Sequence, residues 1–266
     1  MKSVRTALTI AGSDPSGGAG VQSDLKTFSR LRLYGMAVIA ALTAQNTREV
    51  TGVAEVQADF LARQLDAVLS DITPDAAKTG MLLKAAAVEV VAQKVHEYRV
   101  KHLVVDPVMI STSGTTLLDP DALGLFCRAL LPLAFLITPN LDEARALTAR
   151  PIENLEDMEE AALRIHGMGA ANVLIKGGHA GGDVATDVFF DGTGFSQLQS
   201  PRISGSDRHG TGCVLSAAIA GYLALGRPIG EAVRSGKEFV TEAIRNGLKI
   251  GGGAAPCDPL SLGSDQ

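Results

Sequence analysis

The chain has 266 residues, of which 46% are hydrophobic and 20% are charged, and its formal net charge is −5. This composition is typical of a globular protein that buries a substantial core, and it excludes a disordered tail protein. The acidic balance and the scarcity of aromatic residues argue against a nucleic-acid partner, because such proteins use basic surfaces and stacking platforms.

Cysteine usage and hydropathy predict the compartment. The three cysteines, Cys127, Cys213 and Cys257, show neither paired disulfide spacing nor zinc-ligand spacing, so a reducing cytoplasm is expected. The longest mostly apolar stretch, residues 214–225, is shorter than the ~20 residues that a membrane span needs. No membrane partner is therefore expected.

The first predicted element is a strand at Ala7–Ala11, followed by a glycine cluster at Gly12–Gly20 and a helix through Leu25 and Phe28. The cluster has neither the Lys-Ser/Thr of a Walker A loop nor a GxGxxG fingerprint. Its glycines instead indicate that a small substrate lies close to the backbone. Asp24, early in the helix, is either a functional residue or a partner of the helix dipole, and both interpretations stay open.

Residues 34–56 have β character, with predicted strands at Val38–Thr43 and Val50–Val56. They are expected to add an edge strand or a small flap to the sheet. Beyond them, short apolar runs alternate with amphipathic helices, which is the signature of βαβ units on a mostly parallel sheet.

These later elements follow in chain order. The predicted strands are Leu103–Val105, Phe135–Ile137 and Val173–Ile175, and the predicted helical stripes are Leu61–Val68, Val88–Val95 and Leu155–Ile165. Asn154 is expected to cap the start of the last of these helices and Gly167 its end. Since no linker, charge block or repeat interrupts the pattern, one domain over residues 1–266 is expected.

Polar residues follow two predicted strands. Asp106 comes directly after one strand, and Asn140 and Glu143 follow the next. Ligands of open parallel sheets bind outside the carboxyl ends of the strands, and oxygen side chains there suit Mg²⁺. The alternative is that Asn140 and Glu143 form a helix capping box. Lys176, after a third strand, is either a phosphate-binding cation or a solvated charge.

The strongest local signal is the segment His209–Cys213, which precedes an apolar helix. A glycine-rich turn that opens a helix directs backbone N–H groups and the positive end of the dipole at an anion, so a phosphate site is predicted. Cys213 lies in the first turn, where a thiol is expected to be acidified and to act as a base or nucleophile. The alternatives are a plain tight turn and an inert buried cysteine.

The carboxyl-terminal stretch is rich in glycine. It contains Gly251–Gly253 followed by Ala254, Ala255 and Pro256. This composition predicts a flexible tail from about residue 251.

Taken together, these segments resemble the hydroxymethylpyrimidine/phosphomethylpyrimidine kinase branch of the ribokinase superfamily. The resemblance covers residues 8 to about 246 and rests on seven motifs in order. They are Leu8–Gly20, Ala44–Thr47, Lys78–Met81, Asp106–Met109, Thr138–Leu141, Lys176–His179 and His209–Cys213. Cys213 favours the pyrimidine branch, because in sister kinases for sugars and in most pyridoxal kinases the last motif ends in aspartate.

The resemblance implies a fold and an activity. The fold is a ribokinase-like three-layer α/β/α sandwich with a mostly parallel central sheet and a small β flap. The activity is ATP-dependent phosphorylation of 4-amino-5-hydroxymethyl-2-methylpyrimidine and then of its monophosphate, in thiamine diphosphate biosynthesis. ATP and Mg²⁺ are the implied cofactors, and whether a monovalent cation also binds stays open.

Residue roles are carried over from the family motifs. Cys213 would be the base, and the amides of Gly210, Thr211, Gly212 and Cys213 would stabilise the transferring phosphoryl group. Asp106, Asn140 and Glu143 would organise the metal, while Lys176, Lys237 and Asn140 would bind the nucleotide. Gly12, Asp24, Thr43, Gln45 and Met81 would surround the pyrimidine; a side-chain amide such as that of Gln45 offers a donor and an acceptor to an aminopyrimidine.

The sequence departs from the family pattern at three places. Leu82 and Leu83 follow the Lys-x-Gly-Met motif, Asp207 and Arg208 replace a polar pair before His209, and the usual Gly-His-Gly-Pro run is missing near the carboxyl end. These departures concern nucleotide-lid contacts and the second phosphorylation.

Three other functions stay open: a pyridoxal or pyridoxamine kinase on the same scaffold, a lyase that repairs hydrated nicotinamide nucleotides, and a non-catalytic pyrimidine sensor. The lyase fits poorly with Cys213. The resemblance also implies a homodimer formed through the flap strands.

Overall fold

The computed structural model describes residues 4–109, 117–178, 183–203 and 208–261. These residues form a nine-stranded sheet with the order β3-β2-β1-β4-β5-β6-β7-β8-β9. Strands β1, β2, β4, β5, β6 and β7 pair in parallel, while β3, β8 and β9 are antiparallel. The strands are β1 (Thr6–Ser13), β2 (Tyr34–Gln45), β3 (Val50–Glu55), β4 (Ala76–Thr79), β5 (Leu103–Val105), β6 (Leu136–Ile137), β7 (Val173–Ile175), β8 (Val184–Phe190) and β9 (Phe195–Pro201).

Helices cover both faces of the sheet. They are α1 (Gly20–Arg30), α2 (Ala58–Leu69), α3 (Ala85–Glu97), α4 (Pro120–Leu125), α5 (Leu141–Thr148), α6 (Leu155–Gly167), α7 (Thr211–Ala224) and α8 (Ile229–Arg245). Buried side chains of α2 to α6 form one core, and those of α1, α7 and α8 form the other. This arrangement confirms the predicted α/β/α sandwich with a mostly parallel sheet.

The central strands show why compact apolar runs predicted the sheet. Leu103 and Val105 of β5 belong to one core, whereas Val104 belongs to the other. Successive side chains of a strand point to opposite faces, so a strand covered by helices on both sides is apolar at every position.

Two details of α6 differ from the sequence expectation. Asn154 caps the helix as predicted, through a capping box with Asp157. However, Leu155 of the predicted buried stripe is 40% exposed, because it lies in the first turn, outside the face that packs on the sheet. Gly167 is the last helical residue rather than the cap, and Gly169 takes the left-handed conformation, with φ of 116°.

The predicted flap is present. Strand β2 runs beyond the end of β1, and its last five residues pair with the antiparallel strand β3. The pair β2/β3 therefore forms one edge of the sheet and lies beside the end of β1, where the first glycine cluster begins.

Residues 251–257, here called the C-terminal strap, differ from the expected flexible tail. Ala254 donates its backbone N–H to the carbonyl of Thr47 in the flap turn over 2.8 Å. Strand β11 (Ala255–Pro256) pairs in parallel with β10 (Arg208–His209). The strap thus links the flap to the segment that opens α7. Contacts to the rest of the fold, which composition alone does not reveal, order these glycines.

Because the strap packs closely against the flap, we predict that the substitution Gly253→Ala destabilises the protein. A Cβ atom at Gly253 would lie 2.0 Å from the carbonyl oxygen of Thr47, so the strap must shift away from the flap. We expect faster hydrogen exchange at the Ala254 amide and a loss of about 1–3 kcal/mol, the usual cost of overpacking. The matched control is Gly194→Ala, since a Cβ atom at Gly194 meets nothing within 4 Å. Equal exchange rates in the two variants would contradict the prediction.

In the described part of the chain, every helix is too short or too polar to cross a bilayer. Strands β1 to β9 form one sheet and β10 and β11 form a second, while the single-domain organisation of residues 1–266 stays a prediction.

Candidate active site

A cavity of about 990 Å³ opens at the carboxyl ends of the parallel strands. Thirteen of the fourteen site residues predicted from the sequence line it. They are Gly12, Thr43, Gln45, Met81, Asp106, Asn140, Glu143, Lys176, Gly210, Thr211, Gly212, Cys213 and Lys237. The fold therefore brings residues from distant motifs into one site, as expected for an open α/β sheet.

The turn before α7 approaches the first glycine cluster closely. Gly210 is the N-cap of α7 and has φ of 86°, a left-handed conformation that favours glycine. A Cβ atom on Gly210 would lie 1.9 Å from the carbonyl oxygen of Gly18. Only glycine fits here, and the first N–H groups of α7 face the cavity, where the helix dipole favours an anion.

Beside this turn lies a buried ion pair. Lys176 Nζ is 3.0 Å from Asp106 Oδ1, and Asp106 also accepts a hydrogen bond from the hydroxyl of Thr138. Burial raises the pKa of Asp106, but Lys176 and Lys78 outweigh burial and hold that pKa below its usual value. Asp106 is therefore a carboxylate in the resting site.

Gly212 brings the α7 backbone against this pair. A Cβ atom there would lie 3.5 Å from both Asp106 Oδ2 and Lys176 Nζ. The backbone N–H groups of the turn and the Lys176 ammonium consequently surround the same part of the cavity, here called the phosphate end. Both kinds of group stabilise phosphate oxygens.

The capping alternative for Asn140 and Glu143 is confirmed. Asn140 Oδ1 accepts from the Glu143 N–H over 2.8 Å, and Glu143 Oε2 accepts from the Asn140 N–H over 2.7 Å. Both residues also line the cavity, so capping positions them for a second task. Burial raises the pKa of Glu143 to about 7, although Lys176, 3.8 Å away, lowers it.

This raised pKa gives a stability prediction for Glu143→Gln, which preserves the capping acceptor. Glu143 ionises near pH 4.5 when unfolded but near 7 when folded, so its contribution to stability is lost as pH rises through that window. We expect the variant and the parent to match below pH 4.5 and the variant to gain about 2–3 kcal/mol above pH 7. Urea unfolding between pH 4 and 8 measures this difference. A difference in unfolding free energy between variant and parent that does not change with pH would contradict the pKa shift.

A second ion pair escaped the sequence analysis. Lys237 Nζ on α8 lies 2.7 Å from Asp187 Oδ2 on β8, and Asp187 Oδ1 accepts the N–H of Gly177 over 2.9 Å. Asp187 is buried and lines the cavity. It therefore holds Lys237 beside the turn that follows Lys176. Nothing in the local pattern of β8 distinguishes Asp187 from a surface acid.

The oxygen side chains of the phosphate end fit Mg²⁺. No group of three or more His, Cys, Asp or Glu residues among the described ranges forms a closed metal site. Asp106, Asn140 and Glu143 nevertheless present oxygen atoms at one edge of the cavity. Mg²⁺ usually keeps several waters and takes one or two protein oxygens besides substrate phosphates, so this donor set suits it.

Cys213 is half-buried at the start of α7 and lines the cavity. The expected acidification of its thiol is wrong for the ligand-free site. Burial raises the pKa of Cys213 to about 11, while Lys78 and the backbone N–H of Gly20 act in the opposite direction. Desolvation of the thiolate outweighs these favourable contacts.

Asp24 is the predicted site residue that does not line the cavity. Its side chain is fully buried behind the cavity wall, 2.9 Å from Lys78 Nζ and 2.6 Å from the Thr9 hydroxyl. Lys78 belongs to a motif quoted above, but its role was missed. A lone lysine within an otherwise apolar buried strand was the available signal. Burial lowers the pKa of Lys78, and Asp24, Cys213 and Asp106 together more than reverse this.

The part of the cavity lined by the flap and the first glycine cluster is here called the substrate end. Thr43 and Gln45 reach it from β2. Gly12 leaves room for Met81, because a Cβ atom at Gly12 would lie 2.2 Å from Met81 Cε. His179 and Asp207, named in the sequence analysis, lie outside the described residues.

Known proteins resemble this chain over nearly its full length. The sequence profile of the phosphomethylpyrimidine kinase family matches residues 14–258. The hydroxymethylpyrimidine/phosphomethylpyrimidine kinase of Bacillus subtilis is 46% identical over 98% of this chain and 96% of its own length. The thiamine biosynthesis bifunctional protein ThiED of Geobacter sulfurreducens is 48% identical over 98% of this chain, which spans about half (53%) of that protein.

Solved structures give the same fold. A phosphomethylpyrimidine kinase from Clostridium difficile 630 has a TM-score of 0.81 and 44% identity. The match covers 90% of this chain and 99% of the kinase chain. The pyridoxal kinase from Staphylococcus aureus, solved with AMP-PCP and pyridoxal, has a TM-score of 0.91 and 38% identity. The match covers 98% of this chain and 96% of the pyridoxal kinase chain.

Proposed function

The chain belongs to the phosphomethylpyrimidine kinase family, and we propose that its cavity phosphorylates 4-amino-5-hydroxymethyl-2-methylpyrimidine and then the resulting monophosphate with ATP. One observation carries this proposal. Cys213 lines the same cavity as Gln45 of the substrate end and the α7 amides and Lys176 of the phosphate end. A hydroxymethyl group bound beside the thiol would then lie next to the turn whose amides bind the transferring phosphoryl group.

Cys213 takes the proton of the attacking hydroxyl. Lys78 and the Gly20 N–H favour the thiolate, the form that accepts this proton. In phosphoryl transfer, positioning and electrostatic stabilisation provide most of the catalysis. The turn from Gly210 to Cys213 therefore contributes twice, because it holds the base and directs N–H groups at the developing charge.

The phosphate end binds the nucleotide. Lys176 and Lys237 supply positive charge to the phosphates, and Asp106 and Asp187 fix where these ammonium groups lie. Asp106, Asn140 and Glu143 would hold Mg²⁺, directly or through water. When bound, Mg²⁺ would neutralise charge on the ATP phosphates.

Mass spectrometry of products tests the function. The protein is incubated with Mg-ATP and the hydroxymethylpyrimidine in one tube and with Mg-ATP and pyridoxal in another. We expect a pyrimidine pyrophosphate in the first tube. A pyrimidine monophosphate alone would restrict the activity to one step, and no product in either tube would favour a non-catalytic sensor.

Pyridoxal is the second candidate substrate, because the fold matches the Staphylococcus aureus pyridoxal kinase with a TM-score of 0.91. Both substrates carry a hydroxymethyl group on an aromatic ring, so the same base serves either reaction. If pyridoxal phosphate forms in the second tube and the pyrimidine is unchanged, the vitamin B6 assignment replaces the first proposal.

A homodimer through the flap is part of the proposal. Leu42 and Val53, on the paired strands β2 and β3, are 47% and 37% exposed. A second copy of the chain would cover these side chains, and two-fold dimers are the commonest oligomers. Analytical ultracentrifugation is expected to show a species of twice the 27.6 kDa chain mass. A monomer at all concentrations would contradict this part of the proposal.

A further inference from the structure

The substrate end contains a chain of polar side chains that the mechanism above does not use. His209 Nε2 lies 2.8 Å from Asp14 Oδ2 and 3.1 Å from Gln45 Nε2. On the other side, Gln45 Oε1 lies 3.0 Å from the Thr43 hydroxyl, which also lies 3.0 Å from the carbonyl oxygen of Ser13. Five groups are thus joined by four short contacts, and the direction of each hydrogen bond can be derived.

The direction at the Asp14 end follows from charge. Asp14 is buried and accepts hydrogen bonds from the N–H and hydroxyl of Ser16 and from the N–H of Ala19. Burial raises the pKa of Asp14, but the bonds from His209 and Ser16 outweigh it and lower the pKa. A carboxylate only accepts, so His209 Nε2 must carry a proton and donate it to Asp14.

The direction at the Thr43 end follows from counting protons. The carbonyl oxygen of Ser13 only accepts, so the single hydroxyl proton of Thr43 points to it. Thr43 Oγ1 then has no proton left for Gln45 and acts as the acceptor. Gln45 must therefore turn its amide nitrogen towards Thr43.

The contacts at both ends of this chain of side chains require the same orientation of the Gln45 amide. With its amide nitrogen towards His209, Gln45 would donate to a nitrogen that already carries a proton. A half turn of the amide exchanges nitrogen and oxygen at nearly the same positions. After this turn the Gln45 amide nitrogen donates to Thr43, and the Gln45 oxygen shares the single Nε2 proton of His209 with Asp14 in a three-centre hydrogen bond.

We propose that His209, held by Asp14, is a positioning residue that fixes the Gln45 amide with its oxygen towards His209 and its nitrogen towards Thr43. This inference rests on the proposed function, because it specifies how that substrate is recognised. The remaining amide lone pair and N–H fit an amino-substituted nitrogen heterocycle. Its exocyclic amino group lies on the His209 side, and its ring nitrogen lies on the Thr43 side.

Packing holds His209 in this position. Its side chain is almost buried, and a Cβ atom at Gly18 would lie 2.4 Å from His209 Cδ2. The carbonyl oxygen of His209 accepts the N–H of Cys257 over 3.2 Å. Because His209 directly precedes Gly210, the same residue links ring recognition to the phosphate-binding turn.

Nitrogen-15 NMR of the imidazole rings tests the hydrogen-bond direction without any activity measurement. The chain has five histidines, so comparison with His209→Gln identifies the His209 signals. We expect Nε2 of the ligand-free protein to be protonated at pH 7. An unprotonated Nε2 that accepts a hydrogen bond would overturn the proposal even if the enzyme is active.

Two pairs of variants test the effect on recognition. His209→Met and Thr43→Val remove a partner of Gln45, whereas His209→Gln and Thr43→Ser keep a donor and a hydroxyl. We expect KM for the aminopyrimidine to rise about tenfold in the first pair, the size of one lost hydrogen bond, with KM for ATP changing less than twofold. The conservative pair should recover most of this loss. An unchanged pyrimidine KM, or equal losses in both pairs, would overturn the proposal.

The outcomes separate this inference from the proposed function. Melting temperatures show whether each variant folds. If His209→Met does not fold, the comparison of Thr43→Val with Thr43→Ser tests the proposal. If the parent protein phosphorylates no pyrimidine, the proposed function fails, whereas the NMR result still decides the orientation of Gln45. If the parent is active and Nε2 is unprotonated, only the inference fails.

Discussion

Replacing Cys213 by alanine is expected to lower turnover by about 10²–10⁴-fold, the usual contribution of a positioned base, while ATP binding is retained. In the proposed mechanism the thiol acts on the attacking hydroxyl, whereas the nucleotide binds at the α7 amides, Lys176 and Lys237. Steady-state kinetics and calorimetric titration with ATP measure the two effects. Unchanged turnover would remove Cys213 from the mechanism.

The matched control is Cys127→Ala. Cys127 is also half-buried, but it lies in the segment 126–130 beyond α4, away from the cavity lining. This variant should keep the turnover of the parent. A similar loss in both variants would indicate a general effect of removing a thiol rather than loss of the base.

The pH dependence of the parent follows from the same group. Only the thiolate accepts a proton, and the pKa of Cys213 lies near 11 in the ligand-free site. The value of kcat/KM should therefore rise with pH across the neutral range. A plateau already reached below pH 7 would mean that bound substrate lowers the thiol pKa strongly or that another group is the base.

Local patterns predicted the parts of the site that are contiguous in sequence. The turn at Gly210–Cys213 could be predicted because a glycine pair that opens an apolar helix leaves the first N–H groups of that helix without helical partners, although a plain tight turn fits the same pattern. Asp106 and Lys176 could be predicted because each directly follows a compact apolar run, and such runs end at the same edge of a parallel sheet. In these cases a short stretch of chain determines both the conformation and the direction of the functional group.

Pairings between distant segments could not be predicted. Lys78 pairs with Asp24 across 54 positions of the chain, and Lys237 pairs with Asp187 across 50. Only the three-dimensional fold determines that these residues meet. The sign of the Cys213 pKa shift was wrong for a related reason, because the helix terminus is visible in the sequence while the degree of burial is not.

The largest stability effect is expected for Lys78→Met. This substitution leaves the Asp24 carboxylate fully buried without its cation, and breaking one partner of a buried pair costs about 3–5 kcal/mol. Urea unfolding at pH 7 measures the loss. Arg63→Met is the control, because Arg63 and Asp59 form an exposed i,i+4 pair and surface pairs contribute little. Similar midpoints for Lys78→Met and the parent would contradict the prediction.

The double variant Lys78→Met with Asp24→Leu separates charge from packing. If the unpaired carboxylate causes the loss in the single variant, the double variant should recover most of the stability, because apolar pairs of similar volume often replace buried ion pairs without cost. Two results remain possible for turnover. Recovery of both stability and turnover would make the pair purely structural, whereas recovery of stability alone would indicate that the buried ammonium contributes to the thiolate form of Cys213.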